Sequence, residues 1–239
     1  MDVDPAGAAR YRFYLAGTSA ADLDYPLLAA ARPTDLAVLH AGTLALVMEP
    51  IATSIERLIT TCLPPDALVM VDPNCRPPAI TDQQAYLARL SRILCRTDVV
   101  KVSVEDVGYL FPATPVPAAA AALLGQGPML VLVTDGPRAA RAYLPGQELT
   151  VDVPQVHVVD TIGAGDAFGG AFLAWWSGNK LTKSDLSRPD PVRGGLEAAV
   201  EVAALTCTRV GADPPWLTEV RDRPGWRTSP LVKPAQPLR

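Results

Sequence analysis

Two hydrophobic rhythms alternate along the chain. The first is a short, almost wholly apolar run closed by a turn residue. "DLAVLHAG" (35–42), "DALVMVDPN" (66–74), "DVVKVS" (98–103) and "PMLVLVTDG" (128–136) all have this form. Such runs predict strands covered on both faces, as in a parallel sheet. The second rhythm repeats every three to four residues and predicts helices: "EPIATSIERLITTCL" (49–63), "TDQQAYLARLSRILCR" (81–96), "VEDVGYLF" (104–111) and "VPAAAAALLGQ" (116–126). Thr81 is placed to cap the second of these, and a glycine stops the last. "YRFYLAG" (11–17) alternates bulky and polar residues and predicts a further strand, while "RAYLP" and "ELTVDVP" predict a hairpin. "VHVVD" (156–160) reads as a strand, "TIGAG" as a turn and "DAFGGAFLAWW" as a helix. A last helix is expected at about 191–209, followed from 213 by an irregular tail rich in Pro, Arg and Trp. Strands alternating with helices predict a layered α/β sheet. No internal repeat is visible.

Composition narrows this picture. A chain of 239 residues, 49% hydrophobic and 19% charged, is of globular type and suits one α/β domain with a small appendage. The net charge of −4 is spread in mixed sign, so no nucleic-acid partner is expected. The apolar runs are interrupted well before the ~18 residues of a membrane span, and no leader pattern is seen at the start, so no membrane association is expected. Cys62, Cys75, Cys95 and Cys207 fit no zinc or CxxC spacing and read as free thiols of a reducing cytoplasm. His40 and His157 are too few for a multi-histidine metal site and are expected to pack beside strands.

The chemistry concentrates in "VVDTIGAGDAFGGAFLAWW" (158–176). Gly163 and Gly165 allow positive φ and close backbone approach. The amides of Gly163, Ala164, Gly165 and Asp166 would be the unpaired donors of a first helical turn, and with the helix dipole they favour an anion. Asp166 lies among them. As a first-turn acid it complements the dipole; as a functional group it could take a proton from an attacking hydroxyl. A phosphoryl group in transfer suits such a nest. A glycine turn before a helix can also hold a dinucleotide, although G-x-G-x-x-G is not met and this turn comes late in the chain.

"DTIGAGDAF" resembles the signature D-T-x-G-A-G-D-x-F of the ribokinase-like (PfkB) carbohydrate kinases. Four more segments agree in order. "HAGTLAL" (40–46) is similar to a strand-end segment of fructokinase-type members, and "DPNCRP" (72–77) to D-x-N-x-R. "KVSVEDVGYL" (101–110) is similar to the segment carrying N-x-x-E, with Ser103 and Asp106 at its two positions, and "VTDGPRAA" (133–140) to a nucleotide-contacting strand and turn. The resemblance spans about residues 10–212. It implies a three-layer α/β/α ribokinase-like sheet with a small β lid, divided as lid (1–24), kinase domain (25–212) and tail (213–239). It implies ATP and Mg²⁺ as cofactors, a small sugar as substrate, and a possible homodimer through the lid.

Residue by residue, the resemblance makes Asp166 the catalytic base and the amides of Gly163, Ala164 and Gly165 part of an anion hole. Asp106 would help organise Mg²⁺ through water. Asn74 and Arg76 would lie near the phosphate and the acceptor, with Tyr14 in the sugar lid. Thr134 and Gly136 would contact the nucleotide, and Ala203 and Gly211 would border the adenine. Asp160 would order the turn, near a monovalent cation. Bland alternatives stand beside several of these: a turn at Asp72-Pro73-Asn74, a surface Arg76, and Asp106 as a helix-start acid behind a Ser103 cap.

Members of the family also begin with a central-sheet strand and a Gly-Gly-x-x-x-Asn-x-Ala segment that holds sugar hydroxyls. This sequence has neither, and about 80–90 residues of the usual plan are absent. The resemblance therefore suggests an N-terminally truncated kinase: a longer gene product, a partner covering the gap, or a non-catalytic remnant. Leu15 after Tyr14, where keto-acid sugar kinases carry a lid arginine, favours fructose over 2-keto-3-deoxygluconate, with other sugars left open.

Overall fold

In the computed structural model, residues 17–19 and 22–226 are described, together with the backbone of 2–3 and 9–10. The predicted strand at 11–17 and the lid residue Tyr14 fall mostly or wholly outside them. Two short strands, β1 (Asp2–Val3) and β2 (Ala9–Arg10), pair antiparallel.

The main sheet has six strands in sequence order: β3 (Val38–Gly42), β4 (Leu68–Asp72), β5 (Val99–Ser103), β6 (Leu130–Thr134), β7 (Ala139–Leu144) and β8 (Gln147–Asp152). The first four are parallel to one another, β7 runs antiparallel to β6, and β8 antiparallel to β7. The continuous apolar runs have the predicted cause. Every residue of β4 is buried, because helices cover both faces of it.

Alternation along the strands divides the core in two. Leu68, Met70, Val99, Leu130 and Leu132 face α6 (Ala164–Gly178) and α7 (Pro189–Thr206). Val69, Val71, Val100, Val102, Val131 and Val133 face the other helical layer. That layer comprises α2 (Ile51–Thr61), α3 (Gln83–Leu94), α4 (Val104–Leu110) and α5 (Val116–Leu124). The result is the expected three-layer α/β/α arrangement.

Several local expectations change. Asp82, not Thr81, caps α3, accepting from the Ala85 amide at 2.9 Å. A short helix not foreseen, α1 (Tyr25–Ala31), starts behind an Asp24 cap, and Arg57 stacks 3.8 Å from the centroid of its Tyr25 ring. "VHVVD" is not a strand: it joins no ladder among the described residues, Val158 and Val159 are exposed, and the amides of Val159 and Asp160 donate instead to the Cys207 carbonyl. The stretch expected to be irregular holds a helical turn, α8 (Leu217–Val220), and a buried Trp226 whose indole donates to the Ala198 carbonyl at 3.3 Å.

The α6–α7 contact depends on two glycines. A Cβ at Gly195 would meet the Phe172 ring at 2.9 Å, and one at Gly194 would meet Trp175 at 2.6 Å. Phe172 in turn stacks on Trp176, ring centroids 5.5 Å apart. Gly195→Val is expected to cost about 1–3 kcal/mol through overpacking, read as a lowered denaturation midpoint in urea.

Candidate active site

The parallel strands bring their C-terminal ends to one edge of the sheet. Gly42 pairs with Asp72, and Ser103 with Thr134. Ligands of open α/β sheets collect at this edge. Two non-glycine residues there have positive φ, Thr43 (52°) and Asn74 (39°), and they touch: the Asn74 side-chain amide donates to the Thr43 hydroxyl at 3.1 Å. Such strain persists only where surrounding structure holds it, commonly at functional sites. Arg76 folds back to donate to the carbonyls of Asn74 and Cys75.

The glycine turn sits at the start of α6. Gly163 caps the helix with φ +78°, and its Cα approaches Ala212 so closely that a Cβ would lie 2.7 Å from the Ala212 side chain. Glycine is thus required twice over at 163, by conformation and by space. Asp160 fastens the turn from below. Its carboxylate accepts from the Ile162 amide at 3.0 Å and from the Gly211 amide at 2.9 Å, and these backbone donors hold its pKa below the usual carboxylate range. Asp160→Ala is expected to loosen the turn, read as faster hydrogen exchange at the Ile162 and Gly211 amides.

Of the four amides expected to be free, three are: those of Gly163, Gly165 and Asp166 have no acceptor among the described residues. The Ala164 amide is turned away, donating to the Thr161 carbonyl at 3.3 Å. Asp166 is exposed, and its carboxylate makes no hydrogen bond or ion pair among the described residues. With Gly163 it borders a cavity of about 510 Å³. The remaining wall is mostly apolar and includes Val202, Ala212, Pro214 and Trp226.

Other predicted residues are placed differently. Ala203 and Gly211 do not line this cavity, although their chain neighbours Val202 and Ala212 do. Thr134 and Gly136 stand at the end of β6, and Asn74 and Arg76 at the end of β4; all four lie off the cavity wall. Asp106, expected to help organise Mg²⁺ through water, is held at the N-terminus of α4. It is buried, and both its oxygens are engaged. One accepts from the Cys75 amide at 2.6 Å, the other from the Ser103 amide and hydroxyl at 2.8 and 2.9 Å. This is a capping box that also ties α4 to the loop after β4. No cluster of three or more His, Cys, Asp or Glu side chains placed to hold a metal ion occurs among the described residues.

Beneath the glycine turn lies a buried ion pair that the sequence reading missed. Lys101 Nζ is 2.8 Å from Asp72 Oδ2, both side chains 4% exposed. The signal was present as a lysine inside the apolar strand "DVVKVS". Burial pushes the Asp72 carboxyl up, opposed by the Lys101 charge. His40, at the sheet edge, keeps an exposed side, yet desolvation by the protein around it lowers its pKa, against the pull of Asp72 and Asp166.

The three-layer sheet and the glycine turn at the head of α6 belong to a recognisable group of enzymes. The model of the pfkB family carbohydrate kinases matches residues 9–219, and the chain belongs to that family. Among its relatives is the fructokinase of Rhizobium leguminosarum bv. trifolii, 34% identical over 188 residues, which are 77% of this chain and 56% of the relative. The crystal structure of a fructokinase from Xylella fastidiosa superposes with a TM-score of 0.76 at 27% identity, covering 92% of this chain and 69% of that one. A fructokinase double mutant from Vibrio cholerae O395, in a form with fructose, ADP and potassium ion, gives a TM-score of 0.65 at 27% identity, covering 73% and 55%. The chain thus spans about half the length of most curated relatives it matches. No helix among the described residues is long and apolar enough to cross a membrane.

Proposed function

We propose that this chain carries the phosphoryl-transfer site of an ATP-dependent sugar kinase with a fructose-type acceptor. The supporting observation is the unpartnered Asp166 carboxylate beside three unpaired amides at the mouth of a cavity. In this reading Asp166 takes the proton of the acceptor hydroxyl as its oxygen bonds to the γ-phosphorus. The bond from that phosphorus to the bridging oxygen breaks, and ADP leaves. The amides of Gly163, Gly165 and Asp166 hold the equatorial oxygens of the transferring group.

The nucleotide lies toward Thr134, Gly136, Ala203 and Gly211, and Asn74 and Arg76 lie on the acceptor side, with Tyr14 from the lid. Magnesium bound with the nucleotide phosphates would supply charge neutralisation, and Asp106, held in its capping box, would help organise it through water. A monovalent cation near the Asp160 turn is consistent with the potassium of the Vibrio cholerae fructokinase form. The free thiols fit a reducing cytoplasm, and the lid is the surface through which a homodimer would form.

The fructokinase relatives and Leu15 after Tyr14 support fructose as acceptor. Coupled ADP-release assays with fructose, ribose and 2-keto-3-deoxygluconate test this. Turnover is expected with fructose above the other two. Absence of ADP release with all three would leave a nucleotide-binding remnant, and a preference for the keto acid would reassign the acceptor.

A further inference from the structure

We propose that Lys101 is a positioning residue for phosphoryl transfer: held by Asp72, its ammonium braces the first turn of α6 through Gly165 and sets a fixed positive charge behind the anion cradle. The inference rests on the kinase reading above and extends it to residues outside the cavity.

Three observations carry it. First, Lys101 shares a strand face with Val99, the face that packs on α6, and lies where an apolar residue would ordinarily fill the core. Second, its Nζ stands 3.0 Å from the position a Cβ on Gly165 would occupy. The ammonium therefore lies against the Cα of the residue whose amide is one of the three free donors, and any side chain at 165 would have to displace it. Third, the pair is unevenly satisfied. An ammonium has three donors, and among the described residues Lys101 spends one, on Asp72 Oδ2; Asp72 Oδ1 is buried with no partner at all.

A pair kept only for stability leaves little reason for such unspent capacity, since a buried ion pair can often be replaced by apolar residues at no cost. Its placement is the better explanation. The Asp72 backbone also lies close against the neighbouring strand end, where a Cβ on Gly42 would meet its carbonyl at 2.1 Å. The other titratable groups around the pair are His40 and Asp106, which act on Asp72, and Asp166, which acts on His40. Among the described residues, Lys101 is the cation set against the cradle glycine Gly165. A negative charge arriving there is drawn to it across a region of low dielectric.

The test separates brace from filler. In Lys101→Met with Asp72→Leu, both charges are removed together and no buried charge is stranded, so the chain is expected to fold. Initial rates of ADP release with fructose should show kcat lowered by at least about tenfold with the KM for fructose nearly unchanged. Calorimetric binding of tripolyphosphate should weaken by a similar factor. A folded double variant with wild-type kcat and wild-type tripolyphosphate affinity would overturn the proposal while leaving the kinase reading intact. Conversely, a wild-type chain that releases no ADP but binds tripolyphosphate in a Lys101-dependent way would overturn the kinase reading alone. Should the double variant not fold, the ¹⁵N resonance of the Lys101 ammonium in the wild-type chain decides: it is expected to shift on saturation with tripolyphosphate, and an unmoved resonance overturns the brace.

Discussion

Asp166→Asn is expected to lower the proposed ADP release with fructose by at least about 10²-fold, the scale of general-base catalysis. The substitution is nearly isosteric and changes an exposed side chain that holds no partner among the described residues, so packing gives it no route to unfolding. Its only structural expense is the favourable placement of an acid at a helix start, about 0.3–1 kcal/mol. Two measurements therefore separate: kcat collapses, while the urea midpoint barely moves. Tripolyphosphate affinity should hold or rise, because a negative charge leaves the cradle. Unchanged turnover would remove Asp166 from the mechanism and leave the amides as a binding site only.

Lys101→Met alone should have the opposite signature, a large loss of stability. It strands the Asp72 carboxylate in the core with its last hydrogen-bond donor gone, a situation that costs about 3–5 kcal/mol. The loss depends on pH, and its sign follows from Asp72. Burial already raises this carboxyl above its ordinary value in the folded chain, and losing the Lys101 charge raises it further. A group with a raised folded-state pKa contributes stability that is fully present below its unfolded value and lost as pH rises through the folded one. The variant's deficit should thus be smaller in urea titrations at pH 5 than at pH 8. Adding Asp72→Leu should recover most of it. An equal deficit at both pH values would mean that Asp72 is not the stranded group.

The legibility of this chain was uneven for identifiable reasons. The short apolar runs that became β4, β5 and β6 could be read directly, because a strand covered on both faces has no polar positions to disguise it. "VHVVD" had the same appearance and failed, since residue pattern does not say whether a neighbouring strand is available; here the amides of Val159 and Asp160 found the Cys207 carbonyl instead. The setting of Asp106 was hidden for a related reason. A carboxylate at that spacing is compatible with a cap or with a metal, and its contact with the Cys75 amide, 31 positions earlier, is visible only in the fold.

By itself the sequence determined the alternation of strands and helices, and the glycines and acid at 163–166 that make the turn a candidate anion cradle. These depend on local matters: side-chain volume, permitted φ and the unpaired amides of a first helical turn. Tertiary structure alone decided which amide is withdrawn, that Gly163 abuts Ala212, and that Lys101 and Asp72 meet beneath Gly165. Those facts join residues tens of positions apart, and their energies arise only when water is excluded between them, a condition that no single stretch of chain encodes.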